Sequence, residues 1–520
     1  MQARSVTRLL CNPLFIILVI SLSLFYVMRV SVPKSPSAQA WIEKQQHKLQ
    51  STGIDAVQGA LKSNPLSPSN HIYSKQHPVA VLHREASGLF KEMVARQSKT
   101  LKGAVLEYQR RYGRSPPPGF DKWFEYAKKH NSVIIDEFDT IVEDLEPFWN
   151  IEPSRIRTMI DEVARREDIR VWNMSTYHGA FDVPKDNWMG NRVSEMLADI
   201  AADLPDMELI MNPLDEPRII LNNDPRAAEG AVSFTEQNQV PGWEVQTKPC
   251  ESHKPSKKSL RNPLINSHGL SFVGNIHHAM DICQNPAYEH LHGFFAAPPT
   301  LIYTHKPLPM FSQAKPSTFS DILYPSSWYW DHTDHDIAKR DLDWESKRNN
   351  LYWAGSTTGS YARKDYDTKA LGHRQRFVAL AKQLVRGGRG EAQATFLTES
   401  KPGVWKPYSS REILSQLYDV KFTKVVQCDE PACTKEKAYF GVGEKLDDSA
   451  QAYRSRFVMD LDGNSFSGRF YNLLASRSAV LKQTIFKEWH DERLVPWFHY
   501  IPVSVGMDEL PEVMRYLALT

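Results

Sequence analysis

Read from its residues alone, the chain is α/β, with two layered domains facing each other across a cleft behind a membrane helix and a stem. Three observations carry that reading. The chain has 520 residues, 41% hydrophobic and 11% aromatic, too long for one compact core and apolar enough to fill more than one. Beyond residue 119, short apolar runs alternate with amphipathic ones, the pattern of α/β layers. A stretch rich in Pro and aromatics, Lys306 to Thr333, breaks the alternation and reads as the passage between the domains.

Residues 1–8 read as a cytosolic tail. From Leu9 to Met28 the chain runs LLCNPLFIILVISLSLFYVM, long enough to cross a hydrocarbon core of about 30 Å. The small-residue site Ala38-Gln39-Ala40 lies well past that run, farther than a signal peptidase site sits, so 9–28 reads as an uncleaved signal anchor. A single-pass type II protein with a lumenal catalytic part follows, in the Golgi or the ER; the lack of a C-terminal retrieval signal favours the Golgi. Residues 29–111 are polar and carry Pro33, Pro36, Pro65 and Pro68. They read as a stem, helical from Ala86 to Tyr112 and closed by Ser115-Pro116-Pro117-Pro118-Gly119. The net charge of +2 is spread over interspersed signs, which excludes a nucleic-acid partner.

Cys11 lies in the anchor. Cys250, Cys283, Cys428 and Cys433 are an even number suited to two bridges in an oxidising lumen, with Cys428 and Cys433 enclosing four residues and Cys250 and Cys283 left to each other. Their spacing matches no common zinc pattern. Asn173-Met174-Ser175 is an N-glycosylation triplet.

Residues 112–325 form the first domain, with helices at Ile156–Arg165 and Arg192–Asp203 and strands at Glu208–Asn212, Ser271–Gly274 and Leu301–Thr304. Residues 326–520 form the second. It has strands at Leu351–Ala354, Val420–Gln427, Arg456–Leu461, Ala479–Gln483 and His499–Val503, and helices at Arg374–Arg386 and from about Phe466 to Ala475.

Two loops of the second domain suit a diphosphate. In RFVMDLDGNSFSGRFYNLLASRSAVLKQ (Arg456 to Gln483) a strand enters a turn at Asp462-Gly463-Asn464. Ser465 or Ser467 can cap the helix that follows, and Arg469 lies in its first turn. In LYWAGSTTGSYARKDY (Leu351 to Tyr366) a strand enters Gly355-Ser356-Thr357-Thr358-Gly359, whose amides and hydroxyls suit phosphate oxygens. His373, Arg374 and Arg376 open the next helix. An ordinary capped helix and a plain turn explain either loop taken singly; two in one domain point to a nucleotide. Neither is a Walker loop or a complete dinucleotide fingerprint. In the first domain, LPDMELIMNPLDEPRII places Asp215 just past the carboxyl end of a buried strand, between Pro213 and Pro217, where a carboxylate can take a proton. Asp206 and Glu216 are its alternatives, and a solvated turn aspartate is the plainer explanation.

These segments, with SDILYPSSWYW (Ser320 to Trp330) and EWHDERLVPWFHYIPV (Glu488 to Val503), resemble the capsule-associated-protein family of glycosyltransferases, which includes the Rumi-type protein O-glucosyltransferases and fungal capsule xylosyltransferases. YGRSPPPGFDKWFEYAKKHNSVIIDEFD (Tyr112 to Asp139) is similar to its fungal branch. The likeness runs in order from about Tyr112 to the end of the chain. It implies a GT-B fold, a UDP-sugar donor (UDP-xylose or UDP-glucose), a glycan or glycoprotein acceptor, and inversion at the anomeric carbon without a metal cofactor. It implies Asp215 as the catalytic base and Ser356, with Gly355 and Thr357, at the donor phosphate. Arg374 and Arg469 fall on the family's diphosphate arginines, with Arg363 a competitor for Arg374. Gly463, Ser465 and Ser467 fall in its second donor loop. Ala354 stands where the family often has Arg.

Two rival readings differ in class. Asp-x-Asp triplets at Asp334/Asp336, Asp341/Asp343, Asp365/Asp367 and Asp460/Asp462 suit a metal-dependent GT-A transferase. The aromatics Tyr324, Trp328, Tyr329 and Trp330, with Ala354, suit a catalytically impaired, membrane-tethered glycan-binding scaffold.

Overall fold

The structure, a computed structural model, describes residues 76–222, 226–251, 265–267, 269–364, 372–386, 394–410, 414–442 and 448–520. The anchor at 9–28 and the stem up to residue 75 lie outside the described residues. Among the described residues no helix is long and apolar enough to cross a membrane.

The described chain opens with two helices, α1 (Pro78–Arg96) and α2 (Leu101–Tyr112), where the periodicity predicts one from Ala86. The break at Gln97–Thr100 has a local cause. Gln97 turns its amide oxygen to the N–H groups of Ile135 and Asp136 at 2.7 and 2.9 Å, and Thr100 Oγ1 caps α2 by accepting from Gly103 at 3.1 Å. Gly113, at φ 65°, closes α2.

The first sheet contains β1 (Trp172–Tyr177), β2 (Ala180–Asp182), β3 (Met207–Met211), β4 (Met310–Ser312) and β5 (Ile322–Leu323). Its order is β5-β4-β3-β1-β2. β1 runs antiparallel to β2 and β3, while β3, β4 and β5 are parallel. Alternation along β3 sends Ile210 and Met211 to opposite faces. Ile210 packs with Met159 and Val163 of helix α3 (Pro153–Ala164), and Met211 packs with Trp172, Met189 and Val193, the last two from helix α4 (Trp188–Leu197). Helix α4 starts four residues earlier than its apolar pattern suggests, because the Asn187 side chain caps it at Gly190 N–H, 3.0 Å. The glycosylation triplet lies in the interior of β1, where Asn173 is paired with Ile210.

The second sheet contains β6 (Arg348–Ser356), β7 (Tyr418–Lys424), β8 (Ser455–Leu461), β9 (Ala479–Gln483) and β10 (Ile501–Pro502). All are parallel, in the order β7-β6-β8-β9-β10. Both faces are covered, so β8 is buried along almost its whole length. The strand order turns back at the β6/β8 pair: the chain steps outward from β6 to β7, then crosses to β8 and steps outward the other way to β9 and β10. In doubly wound sheets, that reversal leaves a crevice at the carboxyl ends of the two strands, where ligands bind.

The described residues hold together as one unit, and α1 belongs to its core. Val79, Leu82 and Ala86 pack with Leu351 and Trp353 of β6 and with Leu510, Val513 and Met514 of helix α8 (Leu510–Leu519). At the start of α1 the buried His77 lies 2.8 Å from Glu512 and stacks on Tyr516 at 3.9 Å. We expect His77→Ala to cost about 2 kcal/mol. A thermal unfolding midpoint equal to that of the unsubstituted chain would show that α1 is not docked this way. Cys250–Cys283 and Cys428–Cys433 are both bridged.

Candidate active site

A cavity of about 770 Å³ opens at the carboxyl ends of β6 and β8, with walls drawn from both sheets. Asp215 comes from the first sheet, and Thr358, Gly463, Asn464 and Arg469 come from the two glycine-containing loops of the second.

Asp215 is set by the turn after β3. Asn212 extends that strand, donating its N–H to Phe311 O at 2.9 Å. Its side chain ties the turn shut: Oδ1 accepts from Leu214 N–H at 3.1 Å, and Nδ2 donates to Glu216 O at 2.8 Å and Ser312 Oγ at 3.0 Å. Residue 215 is held in the mouth of the cavity, half-buried. Burial raises its carboxyl pKa, opposed by a hydrogen bond from Asn464 Nδ2 to Oδ2 at 3.2 Å. Glu216 points away from solvent, 3% exposed, with Oε1 lacking a partner. Burial and the neighbouring Asp215 charge push its pKa well up. Asp206 sits on another turn and accepts from His178 N–H at 2.8 Å. Of the three carboxylates proposed for proton transfer, only Asp215 lines the cavity.

The two loops are tied to each other. Asn464 Oδ1 accepts from Gly359 N–H at 3.2 Å, so one side chain joins both loops to Asp215. Gly359 has φ +102°, and a Cβ there would meet His373 Cε1 at 2.6 Å and Gly463 O at 2.7 Å; only glycine lets the loops come this close. Behind them lies Arg374, near the start of helix α6 (His373–Arg386). Its Nε and Nη2 donate to Asp462 O at 2.6 Å and Leu461 O at 3.1 Å. Its Nη1 donates to Ser356 O at 3.1 Å and Thr358 Oγ1 at 2.6 Å. Burial, and then the Arg469 charge, lower its pKa to about 9, so it stays protonated at neutral pH. The next layer back is a stack of His292 on His373, ring centroids 3.8 Å apart, against Asp462. Burial keeps both imidazoles neutral and lifts Asp462 to about 6.

Of the residues singled out by sequence, Asp215, Gly463 and Arg469 line the cavity, as do Ala354, Trp328 and Asp334. Arg469 donates Nη1 to Ala354 O at 2.7 Å. Gly355 and Ser356 lead the chain to Thr358, which forms that loop's part of the wall. Thr357 is buried, and its hydroxyl is engaged with Val426 O and N at 2.8 and 2.9 Å. The helix expected from about Phe466 is α7 (Phe470–Ala475). Arg469 is its N-cap, and no side chain caps it. Ser465 and Ser467 are therefore not its caps; both are buried, and Ser465 Oγ has no partner. Arg363 lies outside the wall. Sequence reasoning missed Asn464 and Thr358 as functional residues, although both stand inside the quoted loops.

The Asp-x-Asp triplets have partners of their own. Asp460 pairs with Lys482 at 2.9 Å, Asp462 accepts from Ile485 N–H at 2.9 Å, and Asp336 pairs with Lys339 at 2.6 Å. Asp334 pairs with Arg340, Asp341 with Lys347, and Asp343 lies 3.7 Å from Arg477. Asp365 and Asp367 lie outside the described residues.

A doubly wound sheet with two anion-suited loops at its reversal point, facing a carboxylate, is the arrangement of a group-transfer enzyme. Residues 299–519 match the model of glycosyl transferase family 90, and the chain is a glycosyltransferase. The matched segment contains both loops, Arg374, Arg469 and the whole second sheet; Asp215 precedes it.

Proposed function

We propose that this is an inverting glycosyltransferase of the Rumi-type and capsule-xylosyltransferase kind, of the fungal branch and of GT-B form. It moves xylose or glucose from UDP to a hydroxyl of a glycan or glycoprotein, anchored by residues 9–28 in a Golgi or ER membrane with its catalytic part in the lumen. One observation carries the reading: Asp215 lines the same cavity as Gly463, Asn464 and Arg469. The acceptor hydroxyl attacks the anomeric carbon, Asp215 takes its proton, and the bond to the UDP oxygen breaks with its electron pair left on the diphosphate. Arg469, with one N–H on Ala354 O, has the rest of its fork for that charge, and Arg374 behind the loops adds to it. No metal enters this reading. Five of the six described Asp-x-Asp carboxylates face a Lys or Arg, which supports it over a metal-dependent transferase.

The test is release of UDP by the full-length protein in detergent, screened over UDP-xylose, UDP-glucose and related donors with and without EDTA. Turnover of one donor, unaffected by chelation, is expected. Loss of all turnover with EDTA, or none with any UDP-sugar, would overturn the proposal.

The pH profile gives a second test. Asp215 works only as the carboxylate, so activity should rise with pH through its pKa. Burial places that limb above the range of a free aspartate, about 3.9. The Asn464 hydrogen bond favours the charged form. Asn464→Ala should therefore raise the pKa further and move the acid limb of kcat/KM to higher pH. A limb that stays put, or moves down, would mean that another group titrates.

A further inference from the structure

The four aromatics of Ser320–Trp330 part company in the structure. Tyr324 and Tyr329 are buried, 7% and 5% exposed, and belong to the core. Trp328 and Trp330, on helix α5 (Ser327–Asp331), are not. Trp328 lines the cavity that holds Asp215, and its Cβ lies 3.7 Å from where a Cβ of Gly468 would stand, one residue before Arg469. Trp188, first residue of α4 and 41% exposed, meets Trp328 edge-to-face at 5.0 Å. His332 also packs on Trp328, centroids 4.5 Å apart. The three rings form a stepped aromatic shelf at the cavity's edge, with Trp188 turned 69° to Trp328 and only Trp328 and His332 lining the cavity.

Exposed polar side chains brace the shelf. Arg192 of α4 donates to Asp331 at 2.7 Å and to Glu195 at 2.8 Å, and Trp330 Nε1 donates to Glu195 at 2.9 Å. These charges satisfy one another, so the shelf has no free charged patch for an ionic partner. Beside Trp328 the cavity wall continues through Asp331, His332 and Thr333, three side chains that can exchange hydrogen bonds with hydroxyls. An aromatic face with a polar rim fits a ligand that has an apolar C–H face and a ring of hydroxyls, which is a pyranose.

We propose that Trp188 and Trp328, rimmed by Asp331, His332 and Thr333, form the acceptor subsite, and that the acceptor is a saccharide whose pyranose ring lies on this shelf. This rests on the reading of Asp215 and the two loops as the reacting centre. A saccharide on Trp328 has its hydroxyls in the cavity that Asp215 shares, and its continuing chain runs out over Trp188 to solvent.

Saturation-transfer NMR on the full-length protein with UDP tests it, using methyl pyranosides and short oligosaccharides as probes and a serine-containing peptide as the contrast. Saturation on the C–H protons of at least one saccharide is expected. Trp188→Ala should weaken that binding about ten-fold, as expected for loss of an aromatic anchor, and Trp188→Phe should restore part of it. In transfer assays the same change should raise the acceptor KM and leave the donor KM within about two-fold, a split that a merely structural role would not produce. Saturation of the peptide alone, an unchanged saccharide signal in Trp188→Ala, or parallel rises in both KM values would each overturn the proposal. The dissociation constant of UDP, measured on the same unsubstituted sample, separates the two claims. Absence of UDP binding would remove the donor reading, whereas normal UDP binding without saccharide contact would remove only the shelf.

Discussion

Asp215→Asn should lower kcat by about 100-fold or more while leaving UDP affinity within a few-fold, the signature of a lost general base. The substitution is nearly isosteric. The turn is held by Asn212 rather than by residue 215, so the loop geometry should persist. Asn464 Nδ2 can still donate to the oxygen of an amide. What is lost is the ability to accept the acceptor's proton, because an amide oxygen is a very weak base. Glu216 is the obvious substitute, but it is buried, stands outside the cavity lining, and burial with the neighbouring Asp215 charge pushes its pKa well up. Steady-state kinetics with the best donor, together with UDP titration, decides the matter. Near-normal kcat in Asp215→Asn would refute the assignment. A loss of UDP affinity equal to the loss of rate would make Asp215 a structural residue of the donor pocket instead.

The legibility of this fold in the sequence varied for physical reasons. The strands buried on both faces were plain as apolar runs: Ala479–Gln483 has the bounds read from sequence, and Arg456–Leu461 begins at Ser455. β1 (WNMSTY) and β4 (MFS) were not seen. The first mixes polar residues on one face, and the second has too few residues for any period to show. The hairpin of Ala394–Lys401 with Val404–Ser410 was likewise missed. It is exposed along much of both strands, so apolar alternation is weak. The place of Asp215 just past a buried strand was legible, because the strand and its proline-flanked turn are written within a few residues. Asn464 was not, since its role is to bring together Asp215 and Gly359, which are 249 and 105 positions away in the chain. The inward turn of Arg374 was hidden for the same reason. Charge type can be read from a sequence, but the carbonyl groups that will surround it cannot.

Arg374→Ala should lose the donor site almost entirely, with UDP affinity reduced by about 100-fold or more and global stability lowered by on the order of 3 kcal/mol. The side chain holds three backbone carbonyls and one hydroxyl drawn from both loops: Ser356 O, Leu461 O, Asp462 O and Thr358 Oγ1. Removing it takes a donor from each of those carbonyls, of which Asp462 O keeps His373 Nε2 at 2.7 Å, and removes one positive charge beside the proposed diphosphate. Arg374→Lys separates the two contributions. A lysine restores the charge but has a single nitrogen and cannot span a fork of four acceptors. If charge is what matters, Lys restores most UDP affinity; if the tie between the loops matters, it restores little, and the geometry favours the second result. A Lys variant close to the unsubstituted protein in both UDP affinity and unfolding midpoint would show that the loops hold together without the guanidinium. In that case Asn464 and the Gly359–Gly463 contact, which join the same loops from the cavity side, would be sufficient to hold them.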